Sequence, residues 1–220
     1  MQVNERLPFA EGAEHLGGTK ERILLAALRL FARDGYEAVS VSAIAGELGM
    51  TKGALYKHYA SKRDIFDSIL ARMERRDAEQ AEAHGVPEGT AEEMPDAYRH
   101  TPVDDMVDFA KAMFCYWTED DFAASFRRML TLEQYRSAEM GRLYQQYLAG
   151  GPLGYMTDLF AGLGLPRPSD EAAAFYAPMF LLYSVYDAAE DKAAVSALLD
   201  EVLENARIHL KTLEKRENHE

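Results

Sequence analysis

Gly49 stands between two short helical patterns with almost no chain to spare. Upstream, Ser40 is a good N-cap, and Val41, Ile44, Ala45 and Leu48 fall at i, i+3, i+4 and i+7, one buried stripe. Downstream, Met50 alone separates Gly49 from Thr51, a second cap, after which Leu55 and Tyr59 lie four apart. Two short helices joined by a glycine-containing turn make a helix-turn-helix, here over about residues 40–59. Its two apolar stripes share one core, so Lys52, Gly53, Tyr56 and Lys57 point away from it.

The charge of this segment runs against that of the chain. The 220 residues carry 24 basic and 37 acidic side chains, a net −13. Residues 1–70 balance nine basic against nine acidic groups, so the whole deficit falls on residues 71–220. Acidic bulk repels polyanions. Yet Thr51–Arg63 holds Lys52, Lys57, Lys62, Arg63 and His58, and no acid. At physiological salt the Debye length is about 8 Å, so a contacting surface feels its nearest charges most.

The rest of the chain also reads as helices, with no strand alternation and no internal repeat. Residues 1–18 read as a disordered tail, and Thr19 is a plausible cap for a helix to about Arg33, ended by Gly35. Ser61, with Asp64 as a short-armed capping box, starts a helix to about Ala83. His84–Pro102 is turn-rich and acidic and reads as a loop. Helices follow at about 103–118, 120–135 and 138–162, the last interrupted by Gly150-Gly151-Pro152. Glu119-Asp120-Asp121 falls at a helix junction without histidine partners, which suits dipole compensation rather than metal binding. Ser169 caps a helix to about Ala189. A final helix, about 192–213, carries Val195, Leu198, Leu199, Val202, Ala206 and Leu213 on one stripe. The expected fold is all-α, about nine helices in total.

In a helix-turn-helix the second helix offers its outer face to base edges, while helix starts and hydroxyls hold phosphates. Thr51 and Lys52 stand at such a start. Gly53 has no side chain where backbone must come close. Lys62 and Arg63 stand in a first helical turn, where basic residues oppose the dipole, so helix stability does not explain them. The order "LRLFARDGYEAVSVSAIAGELGMTKGALYKHYASKRDIF" resembles the N-terminal domain of the TetR family of bacterial transcriptional regulators. The resemblance covers about Thr19–Phe66. It implies a three-helix DNA-binding domain over residues 19–66, then an antiparallel helical ligand-binding and dimerisation domain over 67–215. It also implies a repressor released from DNA by a small molecule.

Carried over by position, Thr51, Lys52, Tyr56, His58 and Lys62 match residues that usually touch DNA, mainly phosphates. Gly53 matches the small residue of close approach, Ser40 a cap that often holds a phosphate, and Tyr59 a packed aromatic. Lys57 matches a variable position suited to reading a base.

Beyond residue 100 the aromatic residues crowd together. Phe114, Trp117, Phe126, Tyr144, Tyr155, Met179 and Tyr183 are candidates to line an apolar pocket with hydroxyl handles, suited to an apolar or aromatic ligand. For a homodimer on a palindromic double-stranded operator, the last two helices offer Phe175, Tyr186, Leu198, Val202 and Ala206. The alternative keeps the DNA-binding module but makes the C-terminal domain a protein-interaction platform without a ligand. An enzyme is not expected: there is no Gly-rich phosphate loop, nucleophile motif or metal-ligand spacing, and no cofactor is implied. Lone Cys115 excludes an internal disulfide and, with no signal-peptide pattern and no apolar run of membrane-spanning length, suits a cytoplasmic protein without membrane contact.

Overall fold

Local capping sets the first elements. The structure, a computed structural model, describes residues 18–84 and 98–217, with side chains described to residue 214. Most of the N-terminal tail and of the acidic loop lies outside these residues. Helix α1 (Thr19–Asp34) starts one residue earlier than the sequence suggests, with Gly18 at the cap. Gly35 ends it at φ 88°, its N–H donating to the Phe31 carbonyl at 3.0 Å. Ser40 caps α2 (Val41–Glu47), accepting from the Ala43 N–H at 3.1 Å. Gly49 turns the chain at φ 64°. Thr51 then caps α3 (Lys52–Leu55) through the Ala54 N–H at 3.1 Å. The turn tightens after Leu55, where the His58 N–H donates to the Leu55 carbonyl at 2.9 Å.

Helix α4 (Lys62–Ala83) begins with the Asp64 N–H on Ser61 Oγ at 3.0 Å. The Asp64 carboxylate reaches back to the Ala60 N–H at 2.8 Å, closing the box one residue earlier than the usual pattern. Ile23, Leu28, Phe31, Ile44, Leu55, Ile65 and Phe66 are fully buried around these caps. Tyr59 is buried too, its hydroxyl donating to the Lys20 carbonyl at 3.2 Å.

The chain divides into two compact units, with the boundary between Ala71 and Arg72 inside α4. The second unit contains α5 (Val103–Glu119), α6 (Asp121–Glu133), α7 (Ala138–Leu148), α8 (Gly150–Gly162), α9 (Pro168–Ala188) and α10 (Lys192–Glu217). Ten helices thus stand among the described residues, because the Gly150 break splits one expected helix into α7 and α8. Helix α9 packs against α5, α8 and α10, and α7 against α6 and α8. Asp120 ends α5 and caps α6, accepting from the Phe122 and Ala123 N–H groups at 3.0 and 2.9 Å. Across α5 and α10, Arg207 reaches Asp104 at 2.6 Å and Asp108 at 2.8 Å.

The α7–α8 break depends on missing side chains. A Cβ on Gly151 would stand 2.0 Å from the Gln146 carbonyl oxygen. Pro152 occupies the first turn of α8, where the lost N–H has no intrahelical partner to miss.

The stripe expected on the last helix splits in two. Val195, Leu199, Leu203 and Leu210 are buried, while Leu198 is 46% exposed. At 3.6 residues per turn Leu198 stands roughly 100° round from the buried set. Val202, Ala206 and Leu213 are half-buried between the two faces.

Candidate nucleic-acid interface and ligand cavity

The start of α3 and the turn after it form one exposed face. Ser40, Thr51, Lys52, Gly53, Lys57 and His58 are exposed, and Tyr56 is 44% exposed. Burial of Leu55 and Tyr59 on the inner side holds that face outward. The Lys52 ammonium lies 5.7 Å from the centre of the Tyr56 ring. A Cβ on Gly53 would meet nothing closer than Thr51 Oγ1 at 4.0 Å. Packing within the protein therefore does not require glycine there, whereas a close external partner would.

Two of the basic residues are engaged inside the protein. Lys62 is half-buried, its Nζ donating to the Tyr36 carbonyl at 2.8 Å and the Glu37 carbonyl at 3.3 Å. Arg63 pairs with Asp67 at 2.7 Å. Lys62 has three donors, so one is left for a further acceptor.

In the second unit a cavity of about 290 Å3 opens among α4, α5, α7, α8 and α9. Trp117, Tyr155, Met179 and Tyr183, four of the seven expected residues, line it. Phe114 and Phe126 stand behind the wall. Phe114 stacks on Tyr183 with centroids 5.2 Å apart, and Phe126 meets Tyr147 edge-on at 5.2 Å. Tyr144 is not part of the lining. The sequence reading passed over Asp77 and Ala81 of α4 and Phe109 and Met113 of α5, which also line it. Gly151 and Pro152 border it too, so the α7–α8 break shapes the cavity.

The cavity presents neutral phenols. Burial pushes Tyr147 and Tyr155 up to about 12, and it also raises Tyr176 and Tyr183. The Tyr176 hydroxyl donates to the Leu148 carbonyl at 2.9 Å. Those of Tyr155 and Tyr183 have no hydrogen-bond partner among the described residues. Burial likewise raises the Asp77 carboxyl above its ordinary value.

On the outside of this unit, α9 has apolar residues on two faces. Phe175 and Tyr186 are buried within the unit, so their side chains are not displayed on its surface. Phe180, Leu181 and Val185 are 38%, 63% and 41% exposed, and α10 adds Leu198 and Ile208. Among the described residues no group of three or more His, Cys, Asp or Glu could hold a metal, and no helix is long and apolar enough to cross a membrane.

Comparison with known proteins places these features. Residues 23–69 match the family described as bacterial regulatory proteins, tetR family. The HTH-type transcriptional repressor BepR of Brucella suis is 44% identical over 63 residues, 29% of this chain and 28% of that protein. The HTH-type transcriptional regulator AcrR of Shigella flexneri is 43% identical over 51 residues, 23% of this chain and 24% of that protein. The chain thus matches about a quarter of the length of these two relatives. Similarity in fold extends further. The fatty acid degradation regulator FadR of Bacillus halodurans superposes with a TM-score of 0.58 at 18% identity, over 87% of this chain and 96% of that one. The SmeT–triclosan complex superposes with a TM-score of 0.56 at 20% identity, over 84% of this chain and 90% of that one. Over residues 23–69, the chain is thus similar to the tetR family of bacterial regulatory proteins.

Proposed function

We propose that this chain is a DNA-binding transcriptional repressor that binds a palindromic operator as a homodimer and is released by a small, largely apolar or aromatic ligand. Residues 19–66 bind DNA and 67–215 bind the ligand and the second copy. One observation carries the reading: an acidic chain displays, on a tetR-family domain, an acid-free face of Thr51, Lys52, Tyr56 and Lys57 around a glycine that its own packing does not need.

The roles divide by position. Ser40, Thr51, Lys52 and His58 hold phosphates at the ends of the two short helices. Lys57 and Tyr56 face the groove, with Gly53 allowing close approach. The exposed residues Phe180, Leu181 and Val185 of α9, with Leu198 of α10, are covered in the dimer.

Helix α4 is continuous from Lys62 to Ala83 and carries two cavity residues, Asp77 and Ala81. A ligand that prefers the cavity of one arrangement shifts the dimer away from the spacing that DNA requires. The cavity supports this over the ligand-free interaction platform, which would have no use for an aromatic-lined space of that size. SmeT, similar in fold, is known in complex with triclosan. The test is fluorescence anisotropy with labelled operator DNA. The double change of Lys52 and Lys57 to alanine is expected to abolish binding at physiological salt. Unchanged affinity would refute the assignment of the face.

A further inference from the structure

Among the described residues, the apolar cavity contains one formally charged side chain, Asp77. Its place in α4 is unusual. Ile69 and Met73 are fully buried at four-residue intervals, and Asp77 and Ala81 continue the same stripe. An acid in that register is directed at the interior rather than at solvent. It has no hydrogen-bond or ion-pair partner among the described residues. The adjacent positive charge is spent elsewhere: Arg76 pairs with Asp120 at 2.7 Å and lies against the Tyr116 and Phe122 rings. Among the described residues, no Lys, Arg or His lines the cavity.

The remaining wall has the same electrostatic preference. Trp117, Tyr147 and Tyr155 contribute aromatic rings, whose faces are negative, while the Tyr183 ring already carries the Arg127 guanidinium at 5.1 Å. Met113 and Met179 add polarisable sulfur. A neutral lipophile would fill this space but would leave the carboxylate uncompensated. An anion would meet repulsion from both wall and carboxylate. Burial already raises the Asp77 carboxyl, the cost of an ionised group without a partner.

We propose that the cavity selects an organic cation, an ammonium or amidinium on an aromatic or branched alkyl body, with Asp77 as its counter-ion and the aromatic wall as its cage. This rests on the reading of the cavity as the effector site and adds the charge of the effector. The volume of about 290 Å3 suits a body of one ring and a short substituent.

Trp117 is the single tryptophan of the chain and lines the cavity, so its emission reports binding directly. Two probes of nearly the same shape separate charge from bulk: benzyltrimethylammonium and its neutral carbon counterpart, neopentylbenzene. The full-length protein is expected to bind the cation about tenfold more tightly than the neutral probe. Asp77→Asn keeps the side-chain volume and is expected to remove that preference, leaving the neutral probe within about twofold of its original affinity. Equal binding of the two probes by the unaltered protein, or equal loss of both in Asp77→Asn, overturns the proposal while the effector site stands. Binding of neither probe overturns the effector-site reading, and this proposal with it. The comparison on the unaltered protein holds whether or not the variant folds.

Discussion

The Lys62 ammonium donates to the Tyr36 carbonyl at 2.8 Å and lies 4.3 Å from the centre of the Tyr36 ring. It ties the start of α4 to the turn between α1 and α2. A residue that its position marks for phosphate contact is therefore also a strut of the domain. Lys62→Ala is expected to destabilise the free protein by about 1.5–3 kcal/mol, the loss of hydrogen bonds from a charged donor. The same change shrinks the slope of log affinity against log salt by about 0.9 if the third donor holds a phosphate. Denaturant unfolding and salt titration separate the two roles.

Gly53→Ala has opposite effects on stability and binding. Alanine is the better helix former, and a Cβ meets nothing closer than 4.0 Å, so the free protein gains about 0.5 kcal/mol. Affinity for the operator falls, because the methyl group occupies the space of closest approach. A rise in both would remove the functional reason for the glycine.

Lys57→Ala changes preference rather than general affinity. If Lys57 reads a base, the variant loses about 1–3 kcal/mol of discrimination at one operator position. Competition binding across single-base operator variants measures it, and equal losses on every sequence would refute the role.

Asp187 sets a dependence on pH. Burial alone would raise its carboxyl, but hydrogen bonds from Arg127 and Arg128 outweigh burial and hold it below the usual range. A depressed native pKa contributes stability that is complete above the unfolded value, near 4, and is lost as pH falls through the native value. Asp187→Asn leaves the buried Arg127 unpaired at neutral pH. The expected cost is roughly 3 kcal/mol, the low end for a broken buried pair because Asp187 is 27% exposed. The gap between variant and parent, followed by urea unfolding, should narrow below about pH 4.

Leu181→Glu tests the dimer surface. Leu181 is 63% exposed, so the change does not disturb the core of the unit. Sedimentation should show a shift from dimer to monomer, with weaker operator binding. A dimer of unaltered strength would move the interface elsewhere.

The all-α fold was legible in the sequence because capping is local. Ser40, Gly49, Thr51 and Ser61 act within three or four residues of themselves, and the structure uses all four. The aromatic crowding of the second unit was also visible, but which rings face the cavity was not. Phe114 and Tyr183 are stacked, yet only Tyr183 lines the space, a distinction set by packing between distant helices. The split of α10 was hidden because Leu198 and Leu199 are adjacent and both apolar, while they lie on different faces. Asp77 left a readable sign that sequence reading passed over, an acid continuing the spacing of Ile69 and Met73. The engagement of Lys62 left none, since its carbonyl partners lie about 25 residues away.

The central claim is that the face built by Thr51, Lys52, Gly53, Tyr56 and Lys57 reads DNA. The most direct measurement is selection of bound double-stranded DNA from a random pool by the full-length protein. The account predicts enrichment of a palindrome whose half-site centres lie about 34–36 Å apart or at multiples of that spacing. It also predicts that the enriched sequence changes when Lys57 is replaced. A pool that stays random after selection, or an enriched sequence indifferent to every substitution on that face, would contradict it.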